Sequence, residues 1–170
     1  MIEYRIALVE EIDELKRLLW KYGPNEWNYL TEESVNAEFD LVVGGTAQAV
    51  VAIVEQQVVG FAVLMSGEAC PPYIIKYGHL KDMNFIGDVV VSSEHSGLGI
   101  ATRLLNECIA LSEKAGVTKV LIERHEENLA SAGMMRKAEF EIVDTLHEPH
   151  KRTTGSQNTV ILAFNLENQT

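Results

Sequence analysis

The apolar positions change period along the chain, and those changes divide it into elements. Residues 2–7 read as a short strand. From Val9 to Tyr22 the apolar residues Val9, Ile12, Leu15, Leu18 and Leu19 make the stripe of an amphipathic helix, which Gly23-Pro24-Asn25 ends. Residues 26–30 form a loop with two aromatics, Trp27 and Tyr29, suited equally to satellite core or to the wall of a substrate cleft. Thr31 is a good N-cap for a second helix running to about Leu41, with Glu32 and Glu33 in its first turn and Gly44-Gly45 after it.

The middle of the chain shifts to β-branched runs. Residues 46–55 and 58–65 predict two strands, with Gln56-Gln57 as their turn. Residues 66–83 show no period and predict a long loop, carrying Cys70-Pro71-Pro72-Tyr73 and Lys76-Tyr77-Gly78-His79. Asn84-Phe85-Ile86-Gly87-Asp88-Val89-Val90-Val91 predicts a buried strand, and Ile100, Leu104, Cys108 and Leu111 mark a helix that stops at Lys114-Ala115-Gly116. Residues 119–123 predict a strand, Glu126-Glu127-Asn128 opens a helix through Lys137, and residues 139–146 and 158–166 predict closing strands. The polar, locally basic segment 147–156 between them predicts a mobile loop.

One junction carries chemistry. Between the strand ending at Val91 and the helix starting at Ile100 lie Gly97 and Gly99. Glycines turn the backbone tightly and let a ligand approach, and the unpaired N–H groups of a helix start favour phosphate. The same glycines also suit a strand-to-helix turn with no ligand. A Walker loop would need a lysine after the last glycine, and Ile100-Ala101-Thr102 stands there instead. A dinucleotide fingerprint would need a third glycine where Thr102 is.

The block Asp88-Val89-Val90-Val91, then Glu94-His95-Ser96-Gly97-Leu98-Gly99-Ile100-Ala101 and Leu104-Leu105, resembles the GNAT superfamily of acyl-CoA-dependent N-acyltransferases. That family's pyrophosphate loop, Gln/Arg-x-x-Gly-x-Gly/Ala, falls on residues 96–101, with Ser96 in place of the usual Gln or Arg. A second family block, Asn-x-x-Ala, then Tyr, then Gly-Phe, falls on Asn128, Ser131, Met135 and Glu139-Phe140. By specific residues the resemblance covers 87–105 and 128–140; by pattern it covers nearly the whole chain. The fold it implies is α/β (α+β), a mixed, mostly antiparallel, twisted sheet of six to seven strands with helices on both faces. Residues 1–170 would form one such domain.

The resemblance implies acetyl-CoA as co-substrate, held by Val89, Val90 and Val91 of the central strand, by Ser96, Gly97, Leu98, Gly99, Ile100, Ala101 and Thr102 of the turn, and by Asn128 and Ser131. Asn128 also suits a plain helix N-cap. In relatives an amine attacks the thioester directly, and a backbone N–H at a bulge in the central strand receives the carbonyl oxygen; that bulge is expected near residues 89–91. Asp88 is the expected base, since a carboxylate in an apolar strand is costly unless exposed or used. A strand-start aspartate facing solvent or pairing with Lys81 is its bland alternative. His79, Glu26 and Glu123 are reserves acting through water, and His95 reads as packing. Many relatives protonate the leaving thiolate with a tyrosine, where Met135 offers no proton. The implied activity is acetylation of a small-molecule primary amine. Alternatives are an acyl-CoA-binding module with little catalysis, a protein lysine or N-terminal acetyltransferase, and a nucleotide-binding regulatory domain.

Composition narrows the setting. The chain has 170 residues, 46% of them hydrophobic, enough for one domain with a sizeable core. Its net charge is −11, and its first 40 residues hold ten acids against four bases. That balance opposes nucleic acid and suits a cationic small molecule. No apolar run reaches the ~20 residues of a membrane span, and the start lacks the layout of a signal peptide. Cys70 and Cys108 suggest no disulfide framework, so the cytoplasm is expected. His147 and His150 lack the thiol or carboxylate partners of a metal site, and no metal is expected. The closing strands could pair with a second copy, making a homodimer.

Overall fold

The computed structural model describes residues 1–28 and 30–167; Tyr29, half of the aromatic loop, lies outside them. In chain order the elements are β1 (Glu3–Ile6), α1 (Ile12–Tyr22), α2 (Glu32–Gly44), β2 (Ala47–Val54), β3 (Gln57–Ser66), β4 (Met83–Val91), α3 (Ile100–Lys114), β5 (Lys119–His125), α4 (Leu129–Lys137), β6 (Glu141–His147) and β7 (Asn158–Asn165). The strands form one seven-stranded sheet in the order β1-β2-β3-β4-β5-β7-β6. Only β4 and β5 pair in parallel; the other neighbours are antiparallel. The expected mixed sheet is therefore present, with all seven strands.

Alternation along the strands sends side chains to two cores. Val50, Ala52, Ala62, Leu64, Ile86, Val120, Ile122 and Leu162 face one side, under Ile100, Leu104, Leu105 and Cys108 of α3 and Met135 of α4. Val51, Ile53, Phe61, Val63 and Val90 face the other, under Leu15 and Leu19 of α1 and Val35 and Phe39 of α2. Each fully buried Val, Leu, Ile, Phe or Met among them contributes about 1.5–3 kcal/mol relative to exposure. A buried polar contact keys α3 to the sheet: Asn84 Nδ2 donates to Ser112 Oγ at 2.9 Å, and Ser112 Oγ donates to the Cys108 carbonyl at 2.8 Å.

Three expectations need correction. The β2–β3 turn is Glu55-Gln56, one residue earlier than expected, with φ of +50° and +69°. Residues 66–83 are not an unstructured loop but three 3-10 turns, Gly67–Ala69, Pro72–Tyr77 and Leu80–Asp82. In the second of them Ile74 is fully buried on Met83, Phe85, Leu121 and Ile161, forming a small third core. Such short turns have no apolar period to read. The segment 147–156 is pinned rather than mobile. Thr154 Oγ1 donates to the Glu26 carbonyl at 2.7 Å, His125 Nε2 meets the Thr154 carbonyl at 2.8 Å, and Arg152 Nε donates to Thr159 Oγ1 at 3.0 Å.

Candidate functional site

The site begins where β4 leaves β5. Their parallel pairing covers only Met83–Ile86 against Lys119–Ile122, while β4 runs on to Val91 and β5 to His125. The two strands diverge beyond Ile86 and a cleft of about 210 Å³ opens between them. On its other side β4 stays with β3, but the register shifts: Ala62 faces Val89 and Leu64 faces Ile86. Three steps on β4 oppose two on β3, so the extra residue lies at Gly87-Asp88. The bulge is thus upstream of its expected place at residues 89–91. It turns Gly87 and Asp88 to the α2 side, while Val89 and Val91 pack on the α3 side and Val90 on the α1–α2 side. Beyond Ile86 the β5-facing edge of β4 has no β5 partner, leaving backbone groups around Val89, Val90 and Val91 open to a ligand.

The glycine turn lies at one end of this gap. Gly97 and Gly99 have φ of +80° and +76°, the left-handed region that favours glycine. Gly99 is the N-cap of α3, and a Cβ at either glycine would point into open space. A second pocket, of about 470 Å³, lies over the turn and is walled by α4. Val91, Ser96, Gly97, Gly99, Ile100, Ala101 and Thr102 all line it, as do His95 and Lys137. Leu98 is exposed, 61%, and does not line it. Ser96 Oγ donates to the Ser93 carbonyl at 3.1 Å, stiffening the turn from within. Free helix-start N–H groups, left-handed glycines and a nearby lysine fit a pyrophosphate.

The second block caps and floors the cleft. Asn128 is the N-cap of α4: its Oδ1 accepts from the Ser131 N–H at 3.2 Å, and both residues line the cleft. Met135 lines it too but is 2% exposed and packed into the core. Glu139, at the family's glycine place, has φ of +68°, the conformation glycine would adopt there. The far wall carries Glu123, Lys151 and Arg152. Glu123 accepts from Tyr73 and from Lys151, and Arg152 Nη2 lies 3.5 Å from it. Burial, then the charge of Glu123, pushes the Tyr73 phenol well above its ordinary value. This ion-paired Glu123 is a poor reserve base. Glu26 and His79 are exposed, and neither lines the cleft. His95 Nδ1 is buried without a partner.

A third chamber, of about 540 Å³, opens on the α2 side. It shares Leu30, Gly87 and Asp88 with the cleft, so the two meet at the bulge. Asp88 is half-buried there, beside Glu38 of α2 rather than Lys81. Glu38 is 8% exposed, and its carboxyl lies against Gly87: a Cβ on that glycine would come within 2.5 Å of Glu38 Oε1. Burial first, then a hydrogen bond to Asp88 and its charge, raise the Glu38 pKa well above the carboxylate range. Protonation of Glu38 is thereby favoured next to Asp88. Glu38 went unnoticed in sequence, though a signal was present: it interrupts the apolar helix stripe Val35, Phe39, Val42. Cys70 also lines this chamber, and burial pushes its thiol up to about 12. No group of three or more His, Cys, Asp or Glu side chains could hold a metal among the described residues, and no described helix is long and apolar enough to cross a membrane.

Comparison with known proteins bears on this geometry. Residues 12–140 match the model of the acetyltransferase (GNAT) family. No curated protein matches the chain. Among solved structures, an N-acetyltransferase from Staphylococcus aureus aligns over 98% of this chain and 99% of its own, with a TM-score of 0.77 and 18% identity. A ribosomal-protein-alanine N-acetyltransferase from Brucella melitensis aligns over 96% and 99%, with a TM-score of 0.75 and 20% identity. A Bacillus subtilis acetyltransferase in complex with CoA aligns over 98% and 99%, with a TM-score of 0.73 and 16% identity.

Proposed function

Because the chain belongs to the acetyltransferase (GNAT) family and is an acetyl-CoA-dependent acyltransferase, we propose that it acetylates the primary amine of a small molecule by direct attack, with Asp88 as base. The observation that carries this reading is the bulge at Gly87-Asp88, which sets a carboxylate where the cleft and the chamber meet.

Acetyl-CoA supplies an activated acetyl thioester. The turn at Gly97 and Gly99, with Lys137, would hold its pyrophosphate, and the free edge of β4 would hold its arm. Asp88 takes the proton that an ammonium must lose before its nitrogen can attack. Backbone N–H groups beside the bulge receive the carbonyl oxygen as it gains charge. The C–N bond forms, the C–S bond breaks, and the electron pair leaves on sulfur. Met135 gives no proton, and a thiol with pKa about 8.5 can leave as its thiolate. Cys70 keeps its proton, so it does not compete as a nucleophile. The reading makes the cytoplasm the working compartment.

Calorimetric titration with acetyl-CoA, with ATP and NAD as controls, tests the first half: a Kd in the ~1–100 μM range is expected. Absence of binding would remove the acetyl-transfer reading. Binding without turnover on any amine would identify an acyl-CoA-binding module. Asp88→Asn should lower kcat roughly 10²–10⁴-fold while acetyl-CoA affinity stays the same. Unchanged kcat across pH would remove Asp88 as the base.

A further inference from the structure

We propose that the acceptor is a monoamine on an apolar stem, alkyl or aryl, whose stem fills the α2-side chamber and whose ammonium is received by the Glu38 and Asp88 carboxyls. The inference rests on the acetyl-transfer reading and names its acceptor class.

The walls of the chamber set the stem. Leu30, Val35, Leu41, Met65, Pro71 and Pro72 line it, and among the described residues no Lys, Arg or His does. A stem rich in hydroxyls would lose water there and gain few partners. Its volume of about 540 Å³ suits a small ligand.

The inner end sets the head group. Glu38 is buried beside Asp88, and both carboxyl side chains line the chamber. An ammonium brings three donors and no acceptor, and the half-buried Asp88 carboxylate can accept from it. Two carboxyls this close cannot both be charged without large repulsion, so the pair presents one negative charge. One charge matches one ammonium. A second ammonium on the same stem would lie against leucine and proline with nothing to pair it. Asp88 also lines the cleft, so a nitrogen seated on the pair lies where the cofactor cleft begins. The acidic start of the chain, ten acids to four bases in the first 40 residues, favours a cation at this side.

The test is a comparison of acceptors with acetyl-CoA held saturating. kcat/KM for 2-phenylethylamine and n-hexylamine should exceed that for spermidine and glycinamide by roughly tenfold or more. Ala37→Trp, an exposed α2 position on the chamber wall, should raise KM for 2-phenylethylamine about tenfold by filling the chamber. Preference for spermidine or glycinamide, no preference, or an unmoved KM in the Ala37→Trp variant would overturn the inference and leave acetyl transfer standing. Should acetyl-CoA fail to bind, the transfer reading falls, and 2-phenylethylamine is titrated alone. Binding that Ala37→Trp weakens would then uphold the chamber's preference, and absence of binding would overturn it.

Discussion

The phosphate turn and the carboxyl pair are built by opposite means. The turn is a run of consecutive residues in which, on the proposed reading, backbone conformation would do the binding; its side chains point away, as exposed Leu98 does, or tie the turn to itself, as Ser96 does. The pair brings together Glu38 and Asp88, 50 positions apart in sequence, and works entirely through side chains in a buried place. A phosphate held as proposed, by backbone N–H groups, would therefore tolerate Ser96 where Gln or Arg is usual. The pair has no such latitude, since one carboxyl sets the protonation of the other.

Gly99→Val strikes the turn where it is most exacting and should give the largest effect. A β-branched residue resists φ near +76° and its side chain would occupy the phosphate space, so acetyl-CoA affinity should fall roughly 100-fold or more. Calorimetry that finds normal affinity would break the backbone account. Glu139→Gly isolates the cost of a left-handed residue away from the phosphate. Relief of that conformation should raise stability by about 1 kcal/mol in urea unfolding, the backbone strain being partly offset by the freedom glycine gains in the unfolded chain. A loss of stability would show that the Glu139 side chain contributes more than its backbone costs.

Glu38→Gln gives the smallest effect and probes the pair. The folded pKa of Glu38 lies above its ordinary value. The stability this gives is complete below about pH 4.3 and is lost as pH rises through the folded value. Glutamine keeps a donor for Asp88 and does not titrate. The Tm of Glu38→Gln should therefore gain on that of the wild type by a degree or two as pH rises above about 4.3. A gap that closes as pH rises would mean that Glu38 is already ionised in the fold.

What could be read from sequence follows the same division. Gly97 and Gly99 are local, and their left-handed φ values are what adjacent glycines at a strand-to-helix junction suggest. The succession of strands and helices was likewise legible, because the apolar period changes from element to element. The bulge was misplaced because it arises from pairing with β3, although Gly87, the lone glycine in the strand run, was a hint. Glu38 was passed over as one more acid on a charged helix, and only its place in the stripe Val35, Phe39, Val42 sets it apart. The chamber walls at Pro71 and Pro72 come from a segment with no period, and nothing local reports that Ile74 anchors it. Asn128 is the helix cap that its place suggests, and its side chain also lines the cleft.

The parting of β4 from β5 has a consequence for traffic. The glycine turn opens on the face carrying α3 and α4, and the apolar chamber opens on the face carrying α2. The sheet is a partition and the gap its window, and on the proposed reading the two ligands would arrive from opposite rooms. Neither must depart before the other arrives, and neither bars the other's way out. An acetyl group passed through such a window needs no resting place on the protein between visits. Steady-state rate lines for the two substrates should then intersect, not run parallel.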